Sequence, residues 1–477
     1  MSARNDLDDE PLLDRIRDNP TPAARWALVF ALLVAVEFGA LANFVMSWPW
    51  ATLFGWLGGV GHAVASVGNA LADVPTLLSR TWLDNQGYQT PNGQWHETFM
   101  GLAPAVVWAL RVALVYAYAF FFLGWMWKGY LVFREHYRYA GWTPTDDAVD
   151  RLRGHRWGQF GFIVVVAFIV MAVFAPTLGP TTVDQNIANP YSNQIQYYDG
   201  GVQTISVGAA NLQSASRGAG QNVGIGAYDN FGRFHPFGTL PSGKDLFTFM
   251  AAGARISLFI GMLATLISGI IALALALLSA YYKGVFDLVT VLVSDSVQAM
   301  PRLLVLIMLG VILQDTWIAQ IYSGGLLLAL IFGFWGWPGL WRAVRGPAFQ
   351  TVENEWVDAA KSFGESVPTL VRKHVAPFVI GYLLIYASMG IGGIMIGTAG
   401  LSYLGLGINA PTPEWGRAIS IGQSYIISPS WHISVLPGLA ITIVVVGFNA
   451  LGDGIRDAID PRSEGGSSEE AAAVGGA

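Results

Sequence analysis

Long apolar runs separated by short polar ones fill most of this chain, and the spacing predicts membrane-crossing helices, each needing about 20 apolar residues. The first run is Trp26 to Ser47. Ala51 to Leu78 is glycine-rich and only moderately apolar, and the polar stretch Arg80 to Glu97 follows it. Both are expected outside, against the membrane surface. Leu102 to Trp127 is the second span and contains Arg111. A lone arginine at that depth costs about 2.5–3.5 kcal/mol on insertion scales, so it is expected to face protein or snorkel, in a structural rather than a substrate role. Gly158 to Leu178 is the third span, and the Asn-, Gln-, Gly- and Ser-rich segment Gly179 to Asp245 is too polar to cross. Four features then follow in close rhythm. Leu246 to Ala280 runs inward, a short turn ends at Asp287, Leu288 to Leu313 returns outward, and Leu326 to Trp341 comes back in. Val375 to Gly400 and Ile433 to Leu451 complete about eight spans, with Leu401 to His432 between them outside.

Lys128, Arg134, Arg138, Arg151, Arg153 and Arg156 crowd the segment Lys128 to Trp157, which the positive-inside rule assigns to the cytoplasm. Both termini then fall inside, as does the loop Arg342 to Pro377. The domain organisation follows: a tail over 1–25, an extension over 26–150 with two spans, a span and large outer loop over 151–245, a core over 246–462, and an acidic, disordered tail over 463–477.

Of the 477 residues, 53% are hydrophobic and 12% charged, the latter about half the share of a soluble domain. The fold class is therefore all-α integral membrane protein. The formal charge of -6 excludes little, since basic residues cluster in a few loops while acids fill the two tails, and neither tail suggests nucleic-acid binding. No cysteine is present, which removes disulfides and thiolate metal sites. The polar, acidic start through Arg25 lacks the form of a cleaved signal.

Within the loop Arg342 to Pro377, Thr351 or Asn354 can cap a short helix whose first turn carries Glu353, Glu355 and Asp358. Gly364 can end it, and Ser366 with Pro368 suits the start of a second helix ending in Arg372, Lys373 and His374. Val357, Ala360 and Gly364 share one face, widened by Ala359, and these small residues suit close approach by another protein. An ordinary surface loop is the plainer alternative. Asp295 and Arg302 stand seven residues apart on one side of a helix that Pro301 bends, as a structural pair or as part of a water-lined path. Arg255 and Asp287 read as interfacial anchors. In the outer loop, Trp415 and Arg417 follow two stiffening prolines, Pro411 and Pro413; Trp415 is placed as an interface anchor or a cargo contact.

Gly238 to Asp245 nearly fits the phosphate-binding loop, but Asp245 stands where a hydroxyl belongs and no strand precedes it. The seven histidines are scattered, no His-Glu-x-x-His or Gly-x-Ser-x-Gly is present, and enzyme activity is not expected.

Several motifs coincide with one family. Asp358-Ala359-Ala360 followed by Gly364 and Pro377 resembles the coupling loop of ABC-importer permeases, with Asp in place of the usual Glu. Gly238 to Asp245 leading to Gly253-Ala254-Arg255-Ile256-Ser257-Leu258, Leu401 to Gly407 followed by Pro411 to Arg417, and Asn449 to Arg462 resemble the second permease subunit of dipeptide and oligopeptide importers. The likeness covers roughly Arg151 to Arg462, leaving the first two spans outside the family's usual pattern. It implies a six-helix importer-permease core with an extra N-terminal pair, in the cell membrane, carrying peptides or similar small solutes. It also implies partners: a homologous second permease, two cytoplasmic ATPase subunits that hold the ATP and magnesium, an external solute-binding protein and membrane lipid. Glu355, Asp358, Ala359, Ala360, Gly364 and Pro377 are the expected ATPase-coupling residues, and Asp295, Arg302, Trp415 and Arg417 the expected pathway residues. No cofactor is expected in this chain. A stand-alone secondary transporter or channel is the alternative, for which Asp295 is the one fair coupling acid.

Overall fold

The computed structural model describes residues 11–46, 66, 76, 80–138, 143–214 and 222–459. The stretch 51–78, apart from two single residues, and the tails 1–10 and 460–477 lie outside that description, with the expectations placed on them. Six helices are long and apolar enough to cross a membrane among the described residues, and eight if each of two sharply bent pairs is one span. The chain divides into two compact units.

The first unit comprises Met1–Asp146, Val173–Ser214 and Ile225–Pro236. It contains α1 (Leu12–Asp18), α2 (Pro20–Val36), α3 (Phe38–Met46) and α4 (Pro104–His136), with shorter helical turns besides. The run expected to be one span from Trp26 is broken at Glu37, where the backbone leaves helical geometry. Helices α2 and α4 are joined by reciprocal indole bonds: Trp26 Nε1 donates to the Trp125 carbonyl (3.0 Å) and Trp125 Nε1 to the Trp26 carbonyl (3.1 Å). Gly129 makes room for the Trp26 ring, since a Cβ there would lie 2.6 Å from the indole.

Arg111 is fully buried on α4 and donates to the carbonyls of Leu83 (2.7 Å) and Gly179 (2.9 Å) and to Asn85 Oδ1 (3.1 Å). Its role is structural, as expected, and its partners are neutral oxygens rather than an acid. The polar part of this unit is not helical throughout. It holds three two-stranded antiparallel sheets: β1 (Tyr88–Gln89) with β2 (Trp95–His96), β3 (Gln194–Tyr198) with β4 (Val202–Ser206), and β5 (Ala227–Tyr228) with β6 (Phe234–His235). Ile195, Val207, Ala210 and Phe231 close a small core there.

The second unit comprises Asp147–Ala172, Ala215–Gly224 and Phe237–Ala477. It contains α5 (Arg156–Val173), α6 (Leu246–Tyr282), α7 (Gly284–Ala299), α8 (Arg302–Leu313), α9 (Gly325–Val352), α10 (Glu355–Ser362), α11 (Ala376–Tyr403), α12 (Trp415–Gly422) and α13 (His432–Ile459). Asp245 accepts from the Thr248 amide (2.7 Å) as the N-cap of α6, which is the physical reason an acid stands where a phosphate loop would need a hydroxyl. Helices α6 and α9 form the central pair. Ala272, Ala276 and Ala280 thin one face of α6, and Trp337, Trp341, Val344, Ala348 and Val352 of α9 fill it. Ser268 Oγ returns its proton to the Gly333 carbonyl at 2.7 Å, so the hydroxyl costs little in an apolar core.

The expected outward span from Leu288 is broken into α7 and α8, which meet at 84° across Met300 and Pro301. Proline cannot donate to the helix ladder and pushes the residue before it into extended geometry, and Met300 has ψ of 136°. Of the glycines on α11, Gly392 meets Val445 and Gly397 meets the Phe332 ring, whereas Gly390, Gly393 and Gly400 face open space. Another close glycine crossing lies elsewhere: side chains on Gly158 and Gly161 of α5 would strike the backbone of α13.

Candidate coupling surface and pathway residues

The loop after α9 folds as a short helix, a turn and a second helical start, as its sequence predicts. Asn354 precedes α10, but its side chain turns back to the Gln350 and Thr351 carbonyls (both 3.2 Å) rather than capping the amides. Gly364 ends α10 with φ of 78°, a left-handed conformation that glycine adopts without strain. The second helix begins at Val367 with Pro368 in its first turn, then continues through a wider turn over Val371–Val375 into α11. Arg372 and Lys373 therefore do not stand at a helix end, a correction to their expected placement, because Ala376 and Pro377 carry the helix onward.

Burial divides the loop into a root and a tip. Val357, Leu370 and Val375 are buried in the same cluster as Trp341, Val344 and Val352 of α9 and Ala276 and Ala280 of α6. Each such side chain withdrawn from water contributes about 1.5–3 kcal/mol, so the root is held firmly on the central helix pair. The shared face expected of Val357, Ala360 and Gly364 is accordingly not all outward. Val357 points inward, Ala360 is half-buried, and the exposed positions are Glu355, Asp358, Ala359, Gly364 and Pro377. Phe363 was not singled out by its sequence context, yet it is 91% exposed at the tip. A large aromatic beside a turn glycine, one residue beyond a polar helix, is the signal that marks it. Asp358 holds Lys361 at 3.0 Å, and Glu365 accepts from or shares a proton with His374 at 2.9 Å. Trp356 lies against Phe378, 5.4 Å between ring centres.

Three ion pairs tie the α9 side of this loop to α7 and the residue before it. Lys283 meets Glu353 at 3.0 Å, Arg345 meets Asp287 through two bonds, one of 2.7 Å, and Arg342 meets Asp295 and Gln298, the latter at 3.1 Å. Arg345 also lies 4.8 Å from the centre of the Phe349 ring and 5.7 Å from that of Trp341. Asp287, expected as an interfacial anchor, is thus a pairing group. Asp295 and Arg302 do not pair with each other: the bend at Pro301 separates them, Asp295 turns to Arg342, and Arg302 lies over Phe332 at 5.6 Å.

Trp415 departs most from expectation. It is 1% exposed, donates from Nε1 to the Met250 carbonyl (2.7 Å) and meets Phe168 edge-on at 5.7 Å, so the ring is packed inside its unit rather than standing at an interface. Gly253 and Gly416 are small because Trp415 and the Ala399 backbone respectively occupy the space a side chain would take. Arg417 is half-buried and donates to the Thr412 carbonyl (2.6 Å), over the Phe249 ring at 5.4 Å. Glu414 caps α12 through the Arg417 amide (2.9 Å), and burial pushes its carboxyl above the ordinary range against that bond. Among the described residues no group of three or more potential metal ligands occurs.

The family described as binding-protein-dependent transport system inner membrane component matches residues 270–465, and the N-terminal TM domain of oligopeptide transport permease C matches residues 143–195. The chain is 30% identical over 325 residues to the dipeptide transport system permease protein DppC of Alkalihalophilus pseudofirmus, covering 68% of this chain and 92% of the relative. It is 30% identical over 318 residues to DppC of Bacillus subtilis, with coverage of 67% and 86%. It is 34% identical over 328 residues to the glutathione transport system permease protein GsiD of Escherichia coli, with coverage of 68% and 92%. The two matched stretches hold α5, the end of α6, α7 to α13 and the loop between α9 and α11, and with the relatives' coverage they place the chain in the binding-protein-dependent inner-membrane component family, as a C-type permease of the dipeptide/oligopeptide class of ABC importers.

Proposed function

We propose that this chain forms half of a translocation pathway for peptides or similar small solutes and receives its mechanical drive through Glu355, Asp358, Ala359, Ala360, Gly364 and Pro377. The loop projects into the cytoplasm and docks on a separate ATPase, two copies of which bind ATP and magnesium. A homologous second permease completes the pathway, and an external solute-binding protein delivers cargo. Both termini are cytoplasmic. The names of the dipeptide and glutathione relatives support the cargo class.

One observation carries the coupling role: an exposed tip stands on a root buried in the α6/α9 core. A tip fixed in this way cannot be displaced without moving the helices beneath it, because packed interiors transmit strain. The pairs Arg345–Asp287 and Lys283–Glu353 extend that connection to α7, and the break at Pro301 lets α7 tilt without carrying α8 rigidly with it. Asp295, Arg302 and Arg417 are retained as pathway residues only through the segments they brace. The exposed apolar positions Leu288, Leu292, Leu303 and Leu304 on α7 and α8 support burial against the second permease. Coupling requires that the tip bind two ATPase states with unequal affinity. The test is copurification of the ATPase with the intact chain and with a Phe363→Asp, Ala359→Asp variant. Retention by the first and loss by the second is expected. Equal retention refutes the docking role.

A further inference from the structure

The first unit holds two adjoining concavities that share Phe231 and Gly232 and take no part in coupling. One, of about 200 Å³, is lined by polar groups including Gln86, Glu97, Gln194 and Gln196. The other, of about 450 Å³, is walled by Tyr88, Trp95, Tyr197, Tyr198 and Tyr228 with Phe231. Trp95 and Tyr228 stack at 5.8 Å, and Tyr197 meets Phe231 edge-on at 5.2 Å, so the ring faces are held by one another rather than free to collapse into the groove.

The charges of this region decide what it can hold. Arg233 is the one arginine in the lining, and it is committed to Asp229 (2.7 Å) and Asn211 (2.7 Å). Asp84 acts on the Arg111 guanidinium at longer range and accepts from the Gln86 amide at 2.8 Å. Glu97 has no ion-pair partner among the described residues, is exposed, and has φ of 64°, a left-handed backbone uncommon for a side-chain-bearing residue. Each basic side chain lining the groove already faces a carboxylate: Arg233 is paired with Asp229 and His235 lies 3.5 Å from the same carboxylate, although Arg233 Nη2 itself has no hydrogen-bond partner among the described residues. A cation would meet the Glu97 carboxylate, the amide side chains of Gln86, Gln194 and Gln196, and the electron-rich faces of a tyrosine and tryptophan wall.

We propose that this groove binds an organic ammonium group, with the cation between the aromatic wall and Glu97 and the amides of Gln194 and Gln196 taking the neighbouring polar atoms. The site would then face the outer solution, a placement that rests on the orientation proposed above, although the binding itself does not. Two sources carry such a group: the N-terminus of a peptide, and a small quaternary amine.

The test uses the full-length protein in detergent, with titration calorimetry and no ATPase present. The probes are tetramethylammonium, trialanine with a free N-terminus, N-acetylated trialanine and a neutral disaccharide. Saturable binding of either cationic probe is expected, weakening at least about tenfold in Glu97→Gln and in Tyr198→Leu. Tyr198 is 37% exposed at a hairpin end, and both substitutions leave the small core intact, which an unchanged melting profile verifies. Preference for free over acetylated trialanine assigns the site to peptides, and preference for tetramethylammonium assigns it to small amines. Equal binding of acetylated and free peptide, binding of the disaccharide alone, no binding at all, or unchanged affinity in both variants overturns the proposal. None of these outcomes bears on ATPase retention, so failure here and failure of the coupling role are separable.

Discussion

Replacing Gly364 separates what the turn needs from what a partner needs. With φ of 78°, alanine at this position incurs the left-handed penalty of about 1–2 kcal/mol, while asparagine tolerates the same conformation at lower cost. A Cβ built on Gly364 has nothing within 4 Å, so no steric conflict within this chain adds to that figure. Gly364→Arg should therefore fold and insert, with stability lower by the backbone term alone. On the ATPase the same side chain would displace the tip, and loss of a central contact of this kind costs about 2–4 kcal/mol, or about 30- to 1,000-fold in affinity. The expected order of ATPase retention is glycine, then asparagine and alanine close behind, then arginine far below. Uptake follows the same order, while membrane level and melting temperature vary little. Equal retention across the four residues, or loss of arginine-bearing protein from the membrane with normal activity per molecule, refutes the reasoning.

The strap between α9 and α7 predicts a different phenotype. Arg345→Leu removes the pair with Asp287 but keeps apolar contact with Phe349, so ATPase binding should persist while uptake falls about tenfold; the charge exchange Asp287→Arg with Arg345→Asp should recover part of it, and recovery is the readout. Trp415→Ala deletes a buried bond and an edge contact, and a loss of about 3–5 kcal/mol is expected in thermal unfolding, with substrate affinity unchanged in the protein that remains folded. In the first unit, burial opposes ionisation of Asp229, but the nearby His235 imidazole (3.5 Å) and the charge of Arg233 outweigh it and hold the carboxyl well below the carboxylate range. A depressed folded-state value means stability that is present above the ordinary value of 3.8 and lost as pH falls below it, so unfolding of this unit should sharpen under acid. Asp229→Asn should flatten that dependence and lower stability at neutral pH by about 3–5 kcal/mol, because Arg233 is left buried without its partner.

Apolar run length made the helices legible in order and number, since burial of a polar backbone in lipid permits little else. The breaks were harder to place. Pro301 announced a bend, but nothing local to Glu37 announced the one that divides α2 from α3. The turn at Gly364 and the helix start at Pro368 were legible because each rests on a backbone preference of a single residue. Val357 was misjudged because helical spacing gives which residues share a face and not which way that face turns; the α6/α9 core decides that. Trp415 was misjudged for a related reason, since its neighbours Met250 and Phe168 are far away in sequence. The partners of Arg111 are carbonyl oxygens and an asparagine, which leave no charge pattern to read. The short strands of the polar segment were missed because hairpins two to five residues long carry too few alternating positions to register.

The chain contains no cysteine, so a single one introduced at Phe363 can be followed without background. In intact cells expressing the whole transporter, that thiol should resist a membrane-impermeant maleimide added outside and should crosslink to an ATPase bearing a partner cysteine, more in one nucleotide state than in another. Modification by the external reagent, with no crosslink in any nucleotide state, would contradict the account.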